Sequence, residues 1–260
     1  MATASSTRHG GKLAGKNILL IGGTSGIGLA VARGALHDGA HITISSSSSE
    51  KVAKSVEHLR DDFPSDNANY IRGYKADLSI KAELEDTVDG LLSYAAENSS
   101  IDHIVFTAGN LLALKPLSES SVDELEALLL VRFHAAFVVG KHAEKYVKKE
   151  KTSSITLTTG VQSYKPTIWA APPICGAVAG LMRGLAVTLA PIRVNAVSPG
   201  LVKTDFSAQM PREAADRWIS KTLVKDSGYP EDVAEAYLYF MKDSFVTGTE
   251  LSTNGGVYLV

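Results

Sequence analysis

The stretch Gly22-Gly23-Thr24-Ser25-Gly26-Ile27-Gly28 follows the apolar run Asn17–Ile21 and opens the helical pattern Ile27–Asp38. A strand that turns sharply into a helix needs glycine where the backbone bends. The same lack of side chains lets the backbone approach a ligand closely. At the start of the helix, unpaired amides and the helix dipole face outward and favour an anion. A glycine trio by itself marks only a tight turn. Here it sits at the first strand–helix junction of the chain, the context in which such a loop cradles the pyrophosphate of a dinucleotide.

Outward from this loop the sequence keeps alternating. Short β-branched runs at His41–Ser45, Tyr70–Lys75, Ile101–Thr107, Ser154–Thr158, Ile192–Ser198 and Glu250–Ser252 read as strands. Between them lie helical patterns at Glu50–Asp62, which Pro64 ends, and at Ile80–Asn98, Ser121–Lys149, Gly176–Ala190 and Glu231–Lys242. A βαβ series of this kind predicts an α/β fold: a single Rossmann-type, doubly wound parallel sheet with helices on both faces. Residues 15–260 form the domain, and 1–14 read as a flexible polar tail or, alternatively, a short transit peptide. No internal repeat or linker divides the chain.

Composition narrows the function classes. The 260 residues carry a net charge of −2, so no positive field points to nucleic acid or to an anionic membrane. The one cysteine, Cys175, excludes an internal disulfide and a multi-cysteine zinc site, and no apolar run reads as a membrane span. The expectation is a cytoplasmic protein acting on a small molecule. The charge run Lys148–Lys151 reads as a solvated helix end.

The end of the second strand bears on cofactor choice. A site selective for NAD places an acid there to accept the ribose hydroxyls, whereas this chain has Ser46 in the acid's place, with Ser45, Ser47 and Lys51 at hand to help. Missing carboxylate and available donors favour NADPH/NADP+. The bland alternative is a serine-rich turn that touches nothing.

Together these residues resemble the short-chain dehydrogenase/reductase family. Gly22, Gly26 and Gly28 match its glycine loop, with Ile21 in place of a threonine. Asp77-Leu78 is similar to the pair that contacts adenine, and Thr107-Ala108-Gly109 to an Asn-Ala-Gly stretch. Ile192–Gly200, with Pro199, Gly200, Val202 and Thr204, resembles the segment that flanks the nicotinamide. Thr24, Ser25 and Ile27 belong with the loop. The resemblance covers about residues 14 to 258 and implies a homodimer or homotetramer.

One family feature is missing. The resemblance implies a Tyr-x-x-x-Lys pair, in which lysine lowers the tyrosine pKa and the phenol protonates a carbonyl oxygen. No tyrosine here has lysine four residues later. The tyrosine position falls on Ala171 and the lysine position on Cys175, within Ala171-Pro172-Pro173-Ile174-Cys175-Gly176. Prolines are tolerated in a helix's first turn, so the helix can still form. Thr159 or Thr158 stands at the family's serine, and Arg132 at its asparagine. Pro-Pro-Ile-Cys-Gly together with Arg132 resembles a fungal branch that includes the bifunctional reductase/Diels–Alderases of indole alkaloid biosynthesis. Those enzymes carry an acidic residue just before the proline pair, and Tyr164–Ala171 has none.

Reducing a ketone puts negative charge on oxygen, which an acid must offset. An iminium is already cationic and becomes a neutral amine without one. The expectation is therefore an NADPH-dependent oxidoreductase of secondary metabolism acting on an imine, iminium or carbonyl group. The alternatives are a non-redox, Diels–Alderase-like cyclase and an NADP(H)-binding pseudoenzyme. Arg132 reads either as a group that positions substrate or as a structural ion pair, Cys175 as a weak donor or a packed thiol, and Thr159 as a substrate contact or a strand cap. Tyr164, Trp169 and Pro172 are expected to wall the substrate pocket, and 206–225 to form a lid over it. His134 reads as structural.

Overall fold

The computed structural model describes residues 11–63, 70–109 and 115–260. Pro64 and the tail before residue 11 lie outside the described residues. Seven strands form one parallel sheet in the order β3-β2-β1-β4-β5-β6-β7. They are β1 Asn17–Ile21, β2 His41–Ser46, β3 Ile71–Lys75, β4 His103–Phe106, β5 Ser154–Thr158, β6 Arg193–Pro199 and β7 Glu250–Thr253. Helices α1 Gly26–His37, α2 Ser49–Asp62, α3 Leu84–Ala96, α4 Val122–Leu129, α5 Ala135–Tyr146, α6 Ala171–Thr188, α7 Arg212–Ser220 and α8 Pro230–Lys242 connect them.

Both faces of the sheet are apolar, and each is covered. Leu19, Ile104, Ile155 and Val194 pack under α3, α5 and α6 through Val88, Leu91, Val139 and Met182. Ile18, Leu20, Ile42 and Val197 pack under α1 and α8 through Val31, Leu36, Tyr237 and Phe240. A sheet buried on two sides explains why its strands read as continuous apolar runs. The chain winds outward from β1 to β3 and then returns to β4 on the other side of β1. That reversal opens a crevice at the carboxyl ends of β1 and β4.

Several expected boundaries shift. Leu13, assigned by sequence to the tail, is fully buried in the α1/α8 core, and Lys12 Nζ donates to the Lys242 carbonyl at 3.0 Å. The helix expected over 121–149 begins with a Ser121–Glu124 capping box, passes through a π-helical turn at Leu130–His134 and ends at Tyr146. Lys148 is not merely solvated: with Lys16 it holds the buried carboxylate of Asp102, at 2.9 and 3.0 Å. α6 starts at Ala171, before the expected Gly176, because Pro172 and Pro173 occupy its first turn, where their missing N–H groups cost nothing. At 18 residues with Arg183 as its sole charge, α6 is long and apolar enough to cross a membrane by length and composition. Here Val178 and Met182 join the core under the sheet, and Ile174 packs with Leu128 and Trp169.

Candidate active site

The glycine loop lies at the crevice, and close contacts set its shape. A Cβ on Gly22 would sit 2.6 Å from the Ala108 nitrogen, and one on Gly28 would sit 2.3 Å from the Gly22 oxygen and 2.5 Å from Thr107 Oγ1. Gly26 has φ +51°, and a Cβ there would meet Thr204 Cγ2 at 3.0 Å. Thr107 Oγ1 donates to the carbonyls of Ile21 and Gly22, each at 3.2 Å, which ties β4 to the turn. From α2, Ser55 Oγ holds the Thr24 carbonyl at 3.1 Å. Ser25 is the N-cap of α1, yet its side chain makes no capping bond and the first turn carries no acid. The leading amides of α1 are therefore left without a side-chain partner, which suits an anionic phosphate. Ile27 packs into the core behind them.

At the end of β2 the three serines differ. Ser45 is buried and its carbonyl accepts from Gly22 and Gly23 at 3.1 and 3.2 Å, while Ser46 is partly exposed and Ser47 exposed. Ser46, in the acid's place, and Ser47 are thus accessible, whereas the Ser45 carbonyl is spent on the glycine loop. Lys51, exposed in the first turn of α2, has no ion pair among the described residues. Asp77 Oδ1 accepts from the Ser79 amide and hydroxyl at 3.0 and 2.6 Å, bonds that hold its carboxyl below the usual range. Leu78 is buried beside it. On the opposite side of the crevice Gly200 packs on Asn254, Val202 bridges to Gly228, and Thr204 is held by Ser207. The glycine loop, the uncapped helix start and the acid-free end of β2 together fit a dinucleotide with a 2′-phosphate.

Arg132 stands in the middle of the π turn. The extra residue in such a turn re-aims side chains, which is why π turns recur at functional sites. Its guanidinium lies against Gly109, where a Cβ would come within 2.4 Å of Cζ, and 5.6 Å from the Phe206 ring centroid. It has no carboxylate or hydrogen-bond acceptor among the described residues, so the reading as a structural ion pair finds no partner there. Burial pulls its pKa down, yet the group remains a cation.

The positions of the family's acid pair hold neither a phenol nor an ammonium. Ala171 and Cys175 occupy one turn of α6, and the Cys175 sulfur would touch a Cβ on Gly160 at 3.4 Å. Burial raises the thiol pKa, which keeps it protonated and favours the packed reading. Neighbouring phenols are engaged elsewhere: Tyr237 shares a 2.7 Å bond with Thr158, Tyr258 a 3.1 Å bond with Ser198, and Tyr164 donates to Glu250 at 2.9 Å. Thr159 is buried, and its hydroxyl bonds to Glu250 and to the Val197 carbonyl, so it faces the β6–β7 wall. Trp169 Nε1 donates to the Lys115 carbonyl at 3.1 Å, and its ring packs with Leu128 and Ile174, with Pro172 half-buried nearby. His134 sits edge-on to Phe133 at 5.7 Å. Glu250 escaped the sequence reading. It appears there only as the first residue of the last strand, and its partners lie 86 and 91 residues away.

An SDR-like Rossmann domain matches residues 9–260. The chain belongs to the short-chain dehydrogenase/reductase family. Short-chain dehydrogenase/reductase malC of Malbranchea aurantiaca is 40% identical over 95% of this chain and 96% of its own. The solved MalC reductase/Diels–Alderase superposes with a TM-score of 0.90 over 96% of this chain and 98% of that one. The ucsE short-chain dehydrogenase/reductase of an Acremonium species is 38% identical over 96% of this chain and 98% of its own. A short-chain dehydrogenase of Burkholderia cenocepacia, solved in complex with NADP, is 25% identical with a TM-score of 0.80 over 95% of this chain and 99% of its own. Fold and family thus agree with the resemblance drawn from the glycine loop and the Pro-Pro-Ile-Cys-Gly segment.

Proposed function

We propose that this chain is an NADPH-dependent reductase of fungal secondary metabolism that acts on a C=N⁺ group of a small organic molecule. One observation carries this reading: a dinucleotide cradle is built beside a site whose acid positions hold Ala171 and Cys175 and whose nearby phenols all bond elsewhere. NADPH, when bound, supplies a hydride. The α1 amides and Gly22–Gly28 hold its pyrophosphate, Ser46, Ser47 and Lys51 its 2′-phosphate, Asp77 and Leu78 its adenine, and Pro199–Thr204 its nicotinamide end. Arg132, which has no acceptor among the described residues, positions a carbonyl or carboxylate of the substrate. Lacking a proton donor costs a ketone reduction about 10²–10⁴-fold, whereas an iminium needs no proton at the reacting centre. The NADP-bound Burkholderia relative and the reductase name of the MalC structure support the reading.

Loss of NADPH absorbance with a cyclic iminium and with simple ketones tests it. Turnover of the iminium alone is expected; rapid ketone reduction with no action on imines overturns it. A cyclase would turn substrate over without consuming NADPH, and a pseudoenzyme would bind NADPH and turn over nothing. Because Tyr164–Ala171 carries no carboxylate, the proposal includes the reduction and not a cycloaddition.

A further inference from the structure

Tyr164, Glu250, Ser252 and Tyr258 wall a pocket of about 310 Å³ between the loop after β5, strand β7 and the C-terminal segment. That volume is at the small end of ligand sites. Both carboxylate oxygens of Glu250 are oriented: Oε1 accepts from Thr159 and Oε2 from Tyr164. Hydroxyl donors fix a carboxylate in place without neutralising it. No ion pair among the described residues includes Glu250. The Lys165 ammonium, on the same loop, is instead bonded to the Val257 carbonyl at 2.9 Å. The two phenol rings meet edge to face with centroids 5.4 Å apart, and Tyr258 is tied down by Ser198. The charge also reaches its surroundings, since Glu250 pushes the Tyr164 phenol pKa up.

A held carboxylate beside two aromatic rings is the chemistry that recognises an organic cation: an aromatic face attracts it, and the carboxylate serves as counter-ion. We propose that this pocket is a subsite for a protonated amine, with Glu250 as its charge partner. The inference deepens the proposed reduction and rests on it for the ligand's identity, because reducing C=N⁺ yields a basic amine. The site lies beside the Thr159–Gly160 turn, against which Cys175 packs.

Calorimetric titration of the whole protein with benzylammonium, and with benzyl alcohol as its neutral isostere, tests the subsite without cofactor or turnover. Benzylammonium is expected to bind in the millimolar range and benzyl alcohol at least about tenfold more weakly. Glu250→Gln should weaken benzylammonium by about tenfold or more, while leaving benzyl alcohol within about threefold. Equal binding of the two probes, or undiminished binding by Glu250→Gln, overturns the subsite. Should Glu250→Gln fail to fold by circular dichroism, Ser252→Lys sets a cation in the pocket and must abolish binding; retained binding again overturns it. Benzylammonium binding in a protein that reduces no iminium would sink the reductase reading and leave the subsite standing.

Discussion

Gly28 shows how tightly one residue can be specified. A methyl group there would press on the Gly22 carbonyl and on Thr107 at once, and the carbonyl belongs to the backbone of the same turn. Gly28→Ala should lower stability by about 1–3 kcal/mol and weaken dinucleotide uptake, read by thermal melting and by NADPH fluorescence titration. Ser46→Asp puts a carboxylate where the 2′-phosphate would lie. NADPH affinity is expected to fall by at least about tenfold and NADH affinity to hold or rise; unchanged NADPH affinity would show that Ser46 is only a turn residue. The glycines were legible because close backbone approach admits no other residue type. Glu250 was not, because an acid opening an edge strand looks solvent-directed until the fold brings Thr159 and Tyr164 to it.

Among the elements, α6 was largely foreseeable: a proline pair can only sit in a helix's first turn, and that is where it lies. The π turn was not, because its wider backbone register leaves no mark in composition, and Leu130–His134 reads as ordinary helix. Strand β4 hides another surprise. His103 is fully buried against β5, its Nδ1 2.9 Å from Ser154 Oγ, and burial drives its pKa from 6.5 down to about 3. The folded protein therefore keeps this imidazole neutral, while the unfolded chain takes up a proton below about pH 6.5. Between those values the unfolded state binds the extra proton, so stability falls as pH falls, by about 1.4 kcal/mol per pH unit from this group. Chemical denaturation of wild type and His103→Asn at a series of pH values should give a difference that shrinks towards acid. A difference that stays flat from about pH 7 to 5 would refute the assignment.

Over the whole molecule, the doubly wound sheet was readable from alternating periods alone, and the two cores it implies are both present. How copies associate was not readable from residue patterns. The groove between α5 and α6, about 400 Å³ and lined by Phe137, Gly140, Leu181 and Leu185, is open, and Val187 is 81% exposed beside it. The proposed homodimer or homotetramer would cover such a face. Light scattering at micromolar concentration should return a mass of two or four chains, and a monomer would reject that part of the proposal. The Arg132–Gly109 contact has an effect that reaches beyond either residue. A side chain at 109 would meet the guanidinium at the mobile end of Arg132, so the guanidinium would have to swing aside. The two positions are therefore coupled: alanine at 109 displaces the cation in a chain that carries Arg132 and disturbs nothing at this contact in one that has lost it.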